Sequence, residues 1–249
     1  MMDQTDEASP RFKARIAGVF YLMVFLTAVP VFAGAKLVVS GDAAATATNI
    51  LAQEGLYRLG WASNLVATAC YIVVTGLLYE LFKPVNRSVS LTAAFFSVVG
   101  CGLGTLSGVF ELAPLALLGG ARYLSVFNPE QLQALALLFL KLQAQAYNTG
   151  LVFFGCYCLL IGYLIFRSTF LPRLLGVLMA IAGLGWLTFL SPPLATYLSP
   201  YILAPGILGE GSLTLWLLVI GVNVQRWNEQ AGAAGNRDPR AMPLRATPT

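Results

Sequence analysis

Apolar runs long enough to cross a bilayer dominate this chain, separated by short connections that carry most of its Lys, Arg and Pro. The runs cover residues 16–39, 59–82, 90–118, 144–166, 174–190 and 200–227. A helix needs ~20 apolar residues to cross a hydrocarbon layer ~30 Å thick. In lipid, where no water can satisfy a stray backbone group, each run must bond its own N–H and C=O groups. The constraint therefore reaches past secondary structure: the chain is expected to be an all-α, polytopic membrane helix bundle with six transmembrane helices. Composition agrees, with 57% hydrophobic and 10% charged residues and a mean hydropathy of +0.74, where soluble domains carry ~25% charged residues.

The connections divide the chain into a polar segment, residues 1–15, a membrane domain, residues 16–227, and a polar, Pro-bearing tail, residues 228–249, expected to be disordered. Ala33-Gly34-Ala35 behind the first run mimics a signal-peptide cleavage site. That run is longer than the ~7–15 residues of a signal-peptide core, so a retained first span is expected. Two further helices are expected on the outer face. One spans residues 43–55 behind Asp42 as N-cap, and the other is amphipathic. The second starts with Asn128 as N-cap, Pro129 at the first helical position and Gln131 three residues on, and Leu132, Leu135, Phe139 and Leu142 form its apolar face.

Charge gives an orientation. Eleven of the 15 Lys and Arg residues lie on one set of alternate sides, at residues 11–15, 83–87, 167–173 and in the C-terminal region, and only Lys36, Arg58, Arg122 and Lys141 lie on the other. The positive-inside rule then places both termini in the cytoplasm. The net charge of +4 does not signal nucleic-acid binding, because no basic stripe interleaved with aromatics is present. The expected partners are the lipid bilayer and a small solute or proton; protein partners are left open.

Chemistry inside the spans is sparse. The chain has no His, and its Asp residues, at positions 3, 6, 42 and 238, lie outside the apolar runs. Zinc sites of the H-E-x-x-H type, Ser/His dyads and bis-His haem ligation are thereby excluded. No P-loop is present. No catalytic residue, metal or cofactor is assigned, and an enzyme is the weakest reading. Cys70, Cys101, Cys156 and Cys158 all fall in apolar runs and are expected as buried thiols.

Three carboxyls touch the spans. Glu80 sits three residues from Lys83 and reads as an interfacial ion pair. Glu111 and Glu210 lie deeper, where an ionised acid costs about 2.5–3.5 kcal/mol on insertion scales. Gly100, Gly104, Gly108 and Glu111 share one helical face, and Gly206, Glu210, Thr214, Leu217 and Gly221 share another. Such small-residue faces point into a bundle. Asn64, Thr68, Tyr71 and Thr75 form a third face, and Asn148, Gly155 and Gly162 a fourth. Pro30, Pro114 and Pro205 loosen helices nearby. The expectation is a polar cavity open to the outer face, with Glu210, Glu111, Asn64 and Asn148 as its ligand or proton site. The alternative is a non-catalytic membrane scaffold whose buried glutamates pin helices.

Several segments also resemble a known family. R-I-A-G-V-F-Y-L (15–22), G-D-A-A-A-T-A-T-N-I-L-A (41–52), L-L-Y-E-L-F-K-P-V-N-R (77–87), F-L-P-R-L-L-G-V-L (170–178) and G-E-G-S-L-T-L-W-L-L-V-I-G-V-N (209–223) are similar to the DUF4386 family of bacterial multi-span proteins. The resemblance covers about residues 12–225. It implies a six-helix domain in a bacterial cytoplasmic (inner) membrane and places Glu210, Asn223, Pro84, Asn86 and Arg87 at characteristic family positions. It implies no activity.

Overall fold

The computed structural model describes residues 9–198 and 201–235. Among these residues the chain is helical, with no strand. The helices are α1 Pro10–Ala35, α2 Ala43–Ala52, α3 Glu54–Phe82, α4 Arg87–Leu118, α5 Pro129–Arg167, α6 Arg173–Leu187, α7 Pro192–Leu198, α8 Leu203–Val219 and α9 Val224–Gly235. Five helical stretches, α1, α3, α4, α5 and α6 with its following turn, are long and apolar enough to cross a membrane. Helices α7 and α8 pass the same test together, bent by 79°, and make a sixth span if counted as one.

Local signals set most of the helix starts. The Asp42 carboxylate accepts from the Ala45 N–H at 2.8 Å, and Asn86 Oδ1 accepts from Val89 at 3.1 Å. Asn128 and Gln131 form the reciprocal capping box in full, with bonds of 2.8 and 3.0 Å. Pro205 stands in the first turn of α8 instead of loosening mid-helix backbone. Its missing N–H costs little there, because first-turn donors have no partner within the helix.

The six long elements form a closed ring. Each of α1, α3, α4, α5, α6 and α8 packs on the next, and α1 closes on α8. Neighbours run antiparallel, as the pairs along each seam show. Tyr21 meets Tyr71 while Gly34 meets Gly60. Gly155 meets Gly183 while Gly162 meets Gly176. A Cβ on Gly162 would lie 2.7 Å from the Gly176 carbonyl oxygen, so the α5–α6 backbones touch only because neither residue has a side chain. Gly18 makes the same approach to Leu218, where α1 meets α8.

Antiparallel packing collects the starts of α1, α4 and α6 and the ends of α3, α5 and α8 at one end, which carries Arg11, Lys13, Arg15, Lys83, Arg87, Arg167 and Arg173. The main core fills the half of the bundle towards this cationic end, with Leu78, Leu81, Phe82, Leu164, Ile165 and Leu217 among its members. A smaller cluster of Leu37, Ile50, Tyr57 and Leu140 caps the far end under α2. The outer surface is apolar: Leu26, Phe95, Val109, Leu174 and Leu215 are each more than half exposed. A surface so apolar around the whole bundle belongs in lipid.

Besides Pro205, the sequence-based expectations need adjustment in three places. The amphipathic segment after Asn128 and the fourth span form one 39-residue helix. At ~1.5 Å per residue that helix is ~58 Å long, well beyond the hydrocarbon thickness, so its first turns project past the far face. The helix of the last apolar run, α8, ends at Val219, short of Trp227. Gly221 takes a φ of +74° that only Gly adopts cheaply, and Asn223 Oδ1 then caps a new helix by accepting from Arg226 at 3.1 Å. Finally, residues 228–235 belong to helix α9 instead of a tail. The Trp227 indole N–H donates to the Leu81 carbonyl at 2.9 Å, and Gln230 accepts from Thr169 at 3.1 Å, which docks α9 on the cationic end. The rest of the expected disordered tail, residues 236–249, lies outside the described residues.

Candidate functional site: a carboxyl at the floor of an aromatic cavity

Glu210 is 9% exposed and sits where four helices converge. Its Oε2 accepts from the Tyr21 hydroxyl of α1 at 2.7 Å and from the Tyr71 hydroxyl of α3 at 3.0 Å. Its Oε1 accepts from the Trp186 indole of α6 at 2.9 Å. The two tyrosine hydroxyls also lie 3.1 Å apart, their rings edge to face. Within α8, Thr214 turns its hydroxyl to the Glu210 carbonyl, at 2.7 Å. Among the described residues no Lys or Arg pairs with this carboxyl. A buried acid is thus supplied with three neutral donors and no counter-ion.

Each donor is set by its own helix packing. Tyr21 is fully buried, one turn along from the Gly18 contact that presses α1 on α8. Tyr71 is wedged between the rings of Tyr21 and Phe154, whose centroids lie 5.4 and 4.7 Å away. Trp186 lies against Gly206, one turn before Glu210, where any side chain would collide with the indole. A Cβ on Gly209 would come within 2.5 Å of the Leu178 carbonyl, so this Gly lets α8 approach α6 closely enough for the indole to reach Oε1.

Beyond this cluster, towards the far end, opens a cavity of about 420 Å³. Glu210, Tyr21, Tyr71 and Trp186 line its floor, with Asn64, Thr68, Cys101, Tyr147 and Phe154 among the wall residues. Helices α1 and α8 supply the remaining side. They touch at Gly18 and Leu218 near the cationic end, and further out Val29, Phe32 and Ile207 line the cavity while more than half exposed. The seam between the first and last helices is therefore the cavity's thin wall.

Depth separates the candidate residues. Counting ~1.5 Å per residue from the cationic ends of the helices, Glu210 lies ~14 Å in, and Tyr21 and Tyr71 ~17 Å. The same count puts Asn64 at ~27 Å, Asn148 at ~29 Å and Glu111 at ~36 Å. Glu210 is therefore nearer the cationic end of the bundle and Glu111 nearer the far end. The structure thus brings Glu210 and Asn64 to one cavity, whereas Glu111 and Asn148 are half-buried and outside its lining. The Glu111 carbonyl accepts from Tyr57, and Trp61 donates to the Gly108 carbonyl at 3.1 Å, so this stretch of α4 is held to α3. Tyr147 lines the cavity wall and is 40% exposed. Glu80, by contrast, bonds Lys83 at 2.6 Å at the cationic end, with Lys13 at 3.8 Å.

Helical periodicity in the sequence puts Tyr71 on a polar face, whereas nothing in it marks Tyr21, Tyr147 or Trp186 as part of the site. The available signal was general: a Tyr or Trp within a membrane run needs a partner for its O–H or N–H once buried. It does not say which partner. Among the described residues no three His, Cys, Asp or Glu side chains gather into a metal site, and all four cysteines are free thiols.

Comparison with known proteins adds a family and no chemistry. The sequence model of a family described as a domain of unknown function, DUF4386, matches residues 16–221. An uncharacterized protein of the archaeon Archaeoglobus fulgidus is 24% identical over 153 residues, which is 60% of this chain and 76% of that protein. No solved structure matches.

Proposed function

The chain belongs to the DUF4386 family, and on that premise we propose that it binds or moves a small solute or protons through the cavity above Glu210. One observation carries the reading: the acid lies at the floor of a cavity inside an apolar helix bundle, among donors that suit more than one charge state. An ionised carboxylate takes all three bonds as acceptor. A protonated one donates to a tyrosine hydroxyl, and hydroxyls rotate to accept as readily as they donate. Intramembrane acids without a counter-ion typically serve proton or substrate paths.

The distribution of cations supplies the direction. With the cationic end inside, the cavity opens towards the outer leaflet and the outer solution, and both termini lie in the cytoplasm. For a bacterial host the membrane is the inner one.

A second reading has its own support. The same three bonds tie α1, α3 and α6 to α8, which is what a helix-pinning residue in a membrane scaffold would do. Infrared difference spectroscopy in lipid separates the two, comparing wild type with Glu210→Gln. A carboxyl band that titrates, responds to solute and vanishes in Glu210→Gln is expected. A Glu210 carboxyl that stays in one state across the accessible pH range sinks the transport reading and leaves the scaffold.

A further inference from the structure

We propose that the occupant of this cavity is a lipophilic organic cation, its charge on Glu210 and its apolar body on the aromatic wall. The proposal rests on Glu210 being a reversible binding group and names the class of solute. Among the described residues the cavity lining holds one acid and no Lys or Arg. An anion therefore meets no opposite charge there and one like charge, on Glu210. A sugar or peptide would bury many polar groups against few, because Asn64, Thr68 and Tyr147 are the main hydrogen-bonding side chains above the floor. A bare metal cation is poorly served too, since hard cations seek ~6 oxygen ligands.

What the wall does offer is π surface. Phe25, Phe32, Tyr147 and Phe154 line the cavity with accessible ring surface, and the nearly buried Tyr71 ring stands edge to face with Phe154 at a centroid spacing of 4.7 Å. Trp186 stands beside the carboxyl on the opposite side of the floor. Aromatic faces attract a cation within ~6 Å, most strongly where water is excluded. The volume, about 420 Å³, falls within the ~300–1,000 Å³ of sites for drug-sized molecules. A carboxylate has about four acceptor positions. Tyr21 and Tyr71 occupy Oε2 and Trp186 takes one on Oε1, so Oε1 keeps one. The exposed apolar residues at the α1–α8 seam give such a molecule a route from the lipid.

Cation and proton then compete for one carboxyl, and each cation that binds the protonated site releases a proton. The titratable side chains facing Glu210 are Tyr21 from α1, Tyr71 from α3, and Tyr147, Tyr157 and Cys158 from α5. Trp186 from α6 carries no titratable group. No charged side chain among the described residues shares the floor.

The test uses the full chain in nanodiscs and radiolabelled tetraphenylphosphonium as the probe, with proton release followed in weakly buffered solution. Saturable binding is expected, tightening as pH rises and releasing protons. Glu210→Gln should weaken it by roughly tenfold or more, which corresponds to ~1.4 kcal/mol. Gly104→Leu serves as the second variant, because a Cβ at Gly104 meets open space and the residue lines the cavity. It should block the probe while the Glu210 infrared response to pH persists. Binding that survives both substitutions overturns the proposal. So does absence of binding in a wild type whose Glu210 still titrates, although the proton reading then stands. If the carboxyl neither titrates nor responds to the probe, both fall.

Discussion

Replacing Glu210 separates the carboxyl's hydrogen bonds from its charge. In Glu210→Ala the Tyr21 hydroxyl, the Tyr71 hydroxyl and the Trp186 N–H lose their acceptor. The two hydroxyls stand 3.1 Å apart and can still bond each other, so one tyrosine donor is satisfied and two donors are left. Hydrogen bonds within membrane proteins are worth ~0.6 kcal/mol on average and ~1.7 at most, so the loss comes to about 1–3 kcal/mol before any packing change. In Glu210→Gln the amide oxygen accepts from Trp186, which can only donate, and the amide NH2 donates to a tyrosine hydroxyl that rotates to accept. That variant should unfold within about 0.5 kcal/mol of wild type, less than one average bond. The assay is reversible unfolding in bicelles, for example by steric trapping, on the three proteins side by side. Glu210→Gln losing as much stability as Glu210→Ala would refute the counting of bonds, because the charge itself would then hold the helices. An unperturbed Glu210→Ala would show that the cradle contributes nothing.

Three other substitutions probe the frame around the site. The Tyr157 hydroxyl is buried without a hydrogen-bond partner. Tyr157→Phe should therefore be neutral or raise stability by about 1 kcal/mol in the same unfolding assay, since an unpaired buried hydroxyl costs ~1–3 kcal/mol; a clear loss of stability would contradict its isolation. Gly209→Val forces α8 away from the Leu178 carbonyl and should cost about 1–3 kcal/mol, as overpacking does. It should also quench the Glu210 infrared response through loss of the Trp186 bond, and a well-folded variant with that response intact would refute the packing argument. Cysteines placed at Asn86 and Ser125, in a background lacking the native thiols, report the topology. A membrane-impermeant maleimide added to intact cells should label position 125 and spare position 86, and the reverse pattern would invert the orientation.

The sequence alone specified whatever depends on residues a few positions apart. Apolar length marked the spans, Asp42 and the Asn128–Gln131 pair marked helix starts, and helical periodicity put Gly206, Glu210, Thr214 and Leu217 on one face, all of which is now seen to be buried. These are consequences of chain geometry and local hydrogen bonding, and they need no neighbour to be read. Glu210 itself stood out for the same reason, as an acid in a run that has no local use for one. Its partners lie 189, 139 and 24 residues away, on helices that meet only because Gly18, Gly209 and Gly206 let the backbones close. Ring closure between the first and last helices is a matter of packing, and periodicity within either helix carries no record of it. For the same reason the sequence paired Glu210 with Glu111, which share a residue type and a small-residue face, although ~22 Å of depth separates them. A helical face says which way a side chain points; how far along the bundle it meets another is set by where the helices start and which grooves they share.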